Sequence, residues 1–247
     1  MRLQSLGVVV ALKAEAAALT KQTAYPESIL PIANGCGLLL SGMGPDAALK
    51  AAHSLADAGA QALATFGVAG ALVPGLRSGT LLCPQRILDE QGRVYLADPA
   101  WCNRLQRRLV AAALATVSDI ALLSMPASVS TVTGKVAAQR HYSAAAVDME
   151  SASVAAVAAE RKLPFVALRA IVDERDDSLP EALQAAIDPW GQPRILPMVS
   201  ALVRHPSLLA RLPGLSSRMG KAVRALRTAA AIAPSLEAPE SLNRTQS

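Results

Sequence analysis

At 247 residues the chain is one large domain, or one domain with an appendage, and its 52% hydrophobic content allows a sizeable core. Aromatics make up only 3%, so that core must be built from Ala, Val and Leu, and no apolar run approaches the ~18 residues of a membrane-spanning helix. The net charge of +5 is uneven: residues 189–236 carry seven Arg or Lys and no acid, which leaves about −2 (5 − 7) for the rest.

Residues 6–12 read as a buried first strand rather than a secretion signal, because Lys13 and Glu15 follow the short apolar run at once. A helix is expected over 14–21. Gly37 to Ser41 reads as a second strand, ending in Gly42-Met43-Gly44-Pro45. Pro45 suits the first turn of a helix, where its missing N–H is not needed, and that helix runs to about Ala58. Ala62 to Phe66 is the next strand and Gly67-Val68-Ala69-Gly70 its closing turn. Further strands are expected at 80–88, 120–125, 128–132, 144–149 and 164–171, with helices at 98–115, 134–142 and 150–160. This alternation predicts an α/β fold with a parallel or mixed sheet. Cys36, Cys83 and Cys102 show neither metal nor disulfide spacing and fit buried thiols in a reducing cytosol.

After Asp173 the character changes. A charged loop, Glu174-Arg175-Asp176-Asp177, precedes a short helix at 181–187 and a break between Pro189 and Pro193. Residues 194–232 read as short helices punctuated by Pro197, Pro206, Pro213 and Gly214, and 233–247 as a disordered tail. Composition thus divides the chain into an α/β domain (1–188), a basic helical extension (189–232) and a tail.

Glu150 and Asp173 each follow an apolar, β-like run, with one helix between them. A strand–helix–strand unit delivers both strand ends to one sheet edge, where open α/β sheets bind ligands. Taken singly, Glu150 is also an ordinary first-turn acid, and Asp173 a loop opener or a partner for Arg169. Read functionally, the two oxygens of Glu150 match the vicinal hydroxyls of a ribose. Asp173, between apolar walls, would hold a proton near neutral pH and act as a general acid. Glu15 follows the first strand. The two Gly-containing strand ends, Gly42-Met43-Gly44 and Gly67 to Gly70, would let backbone N–H groups approach a ribose or an anion.

Together, Met149-Glu150 and Arg169-Ala170-Ile171-Val172-Asp173 at this spacing resemble the nucleoside phosphorylase/nucleosidase superfamily, especially its methylthioadenosine/S-adenosylhomocysteine nucleosidase branch, over about residues 5–177. The resemblance implies a three-layer α/β/α sandwich around a central mixed sheet, and cleavage of an N-glycosidic bond. It implies that Asp173 protonates the purine at N7 and Glu15 orients the attacking water. Glu150 would grip the diol over Met149, with Gly42, Met43, Gly44, Val68, Ala69 and Gly70 around the ribose. No metal or cofactor is implied, and phosphate enters only as a co-substrate of phosphorolysis. The chain departs from the pattern in having no Arg between the first strand and Gly42, and Val68 where the family has Ser or Thr. Both departures favour water over phosphate. Val172 replaces a Ser that supports the acid, and no aromatic follows Thr133-Gly134 to stack on a purine. The alternatives left open are a phosphorolytic nucleoside phosphorylase acting on a soluble purine nucleoside and, because of these losses, a catalytically silent nucleoside-binding protein.

Within residues 218–230, Met219, Val223, Leu226 and Ala230 fall on one helical face beside Arg218, Lys221, Arg224 and Arg227. This reads either as a surface helix packed on the domain or as a segment for an anionic membrane surface. The absence of aromatics from 191–236 argues against nucleic acid. With Val147-Asp148-Met149-Glu150-Ser151 and Asp173 to Pro180, this tail resembles the hopanoid-associated phosphorylase-like subgroup. That resemblance implies release of adenine from adenosylhopane by a cytoplasmic, homo-oligomeric enzyme working at the inner membrane.

Overall fold

The structure, a computed structural model, describes residues 6–32, 35–204 and 206–232. The apolar run from Leu6 forms β1 (Leu6–Val10), buried at every position, and α1 (Lys13–Leu19) follows it. Next come β2 (Ile29–Pro31), β3 (Gly37–Leu40) and α2 (Pro45–Asp57), with Pro45 in the first turn. β4 (Ala62–Ala71) is ten residues long. Residues 67–70, expected to be a turn, instead continue this strand, because β11 (Phe165–Asp173) pairs with them as far as Gly70.

The apolar stretch at 80–88 splits at Pro84, which has no N–H for a sheet ladder, into β5 (Leu81–Leu82) and β6 (Arg86–Leu88). β7 (Val94–Leu96), α3 (Pro99–Ala111), β8 (Thr116–Val117) and β9 (Ala121–Ser124) follow. The strand expected at 128–132 does not form. Thr131 is instead the N-cap of α4 (Val132–Tyr142), its hydroxyl accepting the Gly134 N–H at 3.1 Å. β10 (Ala146–Asp148) and α5 (Ser151–Glu160) lead to β11.

The sheet is mixed, as expected, but it forks at β4. β1 pairs with residues 62–65 of β4, β11 runs along residues 63–70, and β10 joins antiparallel at Gly70 and Ala71. Because β11 occupies one edge throughout, β10 takes the edge that β1 vacates, and residues 66–69 stay open between them. β10 and β11 are therefore not parallel neighbours; their ends meet only because both pair with the far end of β4. On one side α2 packs against α5 and both cover the sheet; on the other, α1 and α3 pack on α8 (Leu212–Ile232), which lies against β11 and β4.

The core is mostly Ala, Val and Leu, with Phe66, Trp101 and Phe165 as its buried aromatics among the described residues. All three cysteines are buried, and none is in a disulfide. The boundary expected at residue 188 runs through packed structure: Ala222, Leu226 and Ala229 of α8 join the main core. Pro213 and Gly214 do not interrupt α8, since both fall in its first turn. The apolar stripe that a membrane would have met is thus turned inward. Short α6 (Glu181–Gln184), α7 (Ile195–Arg204) and a 3-10 turn (Pro206–Ala210) form a smaller cluster around Leu183, Ala201 and Leu208. No described helix is long and apolar enough to cross a membrane. The tail expected to be disordered lies outside the described residues.

Candidate active site

Glu15 is the third residue of α1, a position favoured for an acid by the positive end of a helix. Its side chain turns inward and is 1% exposed. Oε2 accepts the N–H groups of Ala11 and Leu12 at 2.9 Å each, and Oε1 accepts that of Val68 at 2.8 Å, on the open edge of β4. Three of the roughly four acceptor positions of a carboxylate are filled, and the last is on Oε1. Burial pushes the Glu15 pKa up, opposed by Arg169 and the three N–H groups.

Glu150 is the N-cap of α5, and its Oε1 accepts the Gly44 N–H at 3.0 Å. Oε2 lies 3.6 Å from Nη2 of Arg169, so acceptor capacity remains for two hydroxyls. Burial pushes its pKa up to about 7, with Arg169 pulling it down and Asp148 adding to the rise. Arg169 does not pair with Asp173. Its Nη2 is 2.6 Å from Oδ2 of Asp148 and donates to Ser151 Oγ at 3.0 Å. Ser151 in turn hydrogen bonds Thr65, and Ser124 donates to Oδ1 of Asp148. One buried guanidinium thus serves three buried acids, Glu15, Asp148 and Glu150. Burial of the carboxylates is the main reason that Glu15 and Glu150 hold their protons more tightly.

This cluster explains Gly67. A Cβ there would stand 2.4 Å from both Oε1 of Glu15 and Nη1 of Arg169. The glycine is required by close approach and not by a turn.

Asp173 ends β11 on the far side of the fork. Its surroundings are not the dry apolar walls expected: the side chain is 32% exposed and ion-paired with the ammonium of Lys135. Lys135, itself 1% exposed, also donates to the carbonyls of Glu174 at 2.7 Å and Asp177 at 3.1 Å. Sequence reasoning missed Lys135. Its partners come from a loop about forty residues away, and no local pattern marks a lysine beside Thr133-Gly134. Asp148, the true partner of Arg169, was also missed, although an acid inside the apolar run 144–149 is itself a signal, since a buried charge needs a partner.

Glu15, Glu150 and Asp173 all line one cavity of about 480 Å³, with Met43, Val68, Ala69, Gly70 and Met149. That volume is within the ~300–1,000 Å³ of small-molecule sites. Gly42 and Gly44 do not line it. Gly42 packs under Pro189 and Trp190, and Gly44 acts through Glu150. No aromatic lines it among the described residues. Val172 faces the cavity beside Asp173. The cavity then continues between Leu179, Leu183, Met198, Leu212, Leu215 and Met219, so its second half is apolar. Three backbone donors expected to meet an anion are already engaged: Met43 N–H with Pro189 O at 2.8 Å, Gly44 with Glu150, and Val68 with Glu15. Among the described residues Arg218 is the one cation in the lining; its Nη1 pairs with Asp177 at 3.1 Å, while its buried Nε has no hydrogen-bond partner.

Residues 6–204 match the phosphorylase superfamily. The chain belongs to that superfamily. Solved structures with the same fold include the 5′-methylthioadenosine/S-adenosylhomocysteine nucleosidase of Helicobacter pylori, 17% identical, with 94% of this chain and 99% of that one covered and a TM-score of 0.65. The corresponding Neisseria meningitidis enzyme, in complex with methylthio-immucillin-A, is 19% identical over 94% of this chain and all of the other, also at 0.65. Futalosine hydrolase of Helicobacter pylori is 16% identical, covering 93% and 98%, again at 0.65. No curated protein matches the sequence.

Proposed function

We propose that this member of the phosphorylase superfamily is a hydrolase of N-ribosyl bonds. The observation that carries the reading is the convergence of three carboxylates from α1, α5 and β11 on one cavity beside which the Met43, Gly44 and Val68 N–H groups are already engaged. Breaking a purine N-glycosidic bond leaves an electron-poor sugar and an electron-rich base. Glu150 accepts the two ribose hydroxyls and places negative charge near the sugar cation. The free acceptor position of Glu15 takes a water. As the water oxygen bonds to C1′, the C1′–N9 pair moves into the purine, N7 receives a proton through Asp173, and the water's proton passes to Glu15. The Lys135 ammonium donates to Asp173 and is the source of the proton that the carboxyl group passes to N7. Such general acid catalysis contributes about 10²–10⁴ in rate. The engagement of the Met43, Gly44 and Val68 N–H groups supports water over phosphate as nucleophile.

The apolar half of the cavity supports a substrate with a large apolar group at its 5′ end, and adenosylhopane is the substrate we assign, with ribosylhopane and adenine as products. The solved nucleosidases of this fold bind nucleoside-like molecules, one of them 5′-methylthioadenosine, which agrees with an adenosyl substrate. Such an enzyme would work in the cytoplasm at the inner membrane, as a homo-oligomer. The test is adenine release from adenosylhopane by the purified protein, with and without phosphate. Release independent of phosphate, yielding free ribosylhopane, is expected. Phosphate dependence with a ribose-1-phosphate-type product would replace hydrolysis by phosphorolysis, and substrate binding without turnover would make the protein a binder.

A further inference from the structure

The cover over the apolar half of the cavity has an uncovered outer side. α7 is apolar nearly all round. Its Met198 lines the cavity and its Ala201 is buried in the small cluster beneath. Ile195, Leu196 and Val203 instead stand in solvent at 78%, 82% and 73% exposure. At roughly 100° per residue these three fall within an arc of about 100° on one helix face. The adjacent 3-10 turn adds Leu209, 55% exposed. Single exposed apolar residues need no explanation, but a cluster of large ones marks a surface that meets something.

Charge decides what that is. Arg194, Arg204 and Arg211 flank the apolar side chains and are all exposed, and residues 189–236 contain no acid. A second copy would bring an equally basic face against this one, and like charges placed together oppose association. A helix too short to span, with apolar side chains on its outer face and arginines at its ends, lies instead in the plane of an anionic bilayer.

We infer that the outer face of α7 and the 3-10 turn docks on an anionic membrane surface, with Ile195, Leu196, Val203 and Leu209 entering the acyl boundary. The same helix then separates membrane from cavity, with Met198 on the cavity side. This assignment deepens the proposed membrane location by naming its contact face, and it does not depend on the proposed reaction. It also moves the membrane contact away from α8, whose apolar stripe is spent on the core.

The test is flotation of the full chain with phosphatidylcholine vesicles, with and without a fifth of phosphatidylglycerol. Binding should appear with the anionic lipid and weaken as salt rises. The double substitution Ile195→Glu with Leu196→Glu should lower partitioning at least about tenfold, whereas Val94→Glu with Leu96→Glu, on the exposed face of β7, should leave it intact. Adenine release from a water-soluble adenosyl nucleoside, followed in parallel, should be unchanged in both variants and reports that they fold. Equal flotation of the wild type and the Ile195/Leu196 variant overturns the docking face, as does a wild-type dimer that this variant dissociates without any lipid binding. Lipid binding by a protein that releases no adenine supports the docking face and counts against the proposed reaction alone.

Discussion

Lys135 is withdrawn from water to hold Asp173 and two loop carbonyls, and a buried ammonium persists only when it is paired in this way. Asp173→Asn should lower kcat by about 10²–10⁴ with little change in KM. Lys135→Met should also lower kcat, because Asp173 loses the ammonium that donates to it and fixes its position. Steady-state kinetics checks both, and a Lys135→Met enzyme with a wild-type kcat would remove the pair from the chemistry. Glu150 gives a second test. Its pKa is pushed up to about 7, mainly by burial. Protonation turns one of its oxygens into a donor and weakens the hold on two hydroxyls. KM should therefore rise as pH falls through this value, by about tenfold between pH 8 and pH 6, and Glu150→Gln should abolish that dependence. Glu150 and Asp173 could be singled out in the sequence because each follows an apolar run next to a recurrent short motif. Lys135 could not, because only the folded loop after β11 brings its acceptors to it.

Among the elements, β4 decides the site. Its open edge, residues 66–69, exists because β11 holds one side while β1 ends early and β10 joins late. Gly67 and Arg169 face each other across the β4–β11 ladder and share the space beside Glu15. Arg169→Met would leave Asp148 and Glu150 buried without their cation, which costs about 3–5 kcal/mol and should appear as a lower urea midpoint. Gly67→Ala should abolish activity before it abolishes folding, since the added methyl displaces the Glu15 carboxylate; a crystal structure with Glu15 unmoved would contradict this account. The strands and helices around the site were legible from their apolar runs and from Pro45. The continuation of β4 was not, because two glycines in four residues carry the pattern of a turn. Only their registry with β11 makes them strand.

At the scale of the whole molecule, the basic C-terminal segment is part of the folded body and not an attachment. α8 fills the face of the sheet beside α1, and the chain leading to it covers the cavity. A chain ending at residue 188 would expose the surfaces that Ala222, Leu226 and Ala229 cover, and would also lose one wall of the cavity. It should aggregate or melt well below the full chain, which circular dichroism and size exclusion would show. The composition break at 189 suggested an independent unit, since charge and proline change there abruptly. Burial depends on which face of a helix finds the core, and the stripe of Met219, Val223, Leu226 and Ala230 is equally compatible with core and membrane until the partner surface is seen.

The sequence by itself determined the chemistry available: which carboxylates follow which strands, the α/β class, the superfamily resemblance and the charge asymmetry. These depend on short-range order, apolar periodicity and motif spacing. The tertiary structure alone decided how Glu15, Glu150 and Asp173 share one cavity, that Arg169 serves Asp148, that Lys135 stands behind Asp173, and that α7 rather than α8 shows an apolar face to the outside. Each of these depends on contacts between residues far apart in the chain, where pairing register and packing choose among partners that local sequence leaves equivalent.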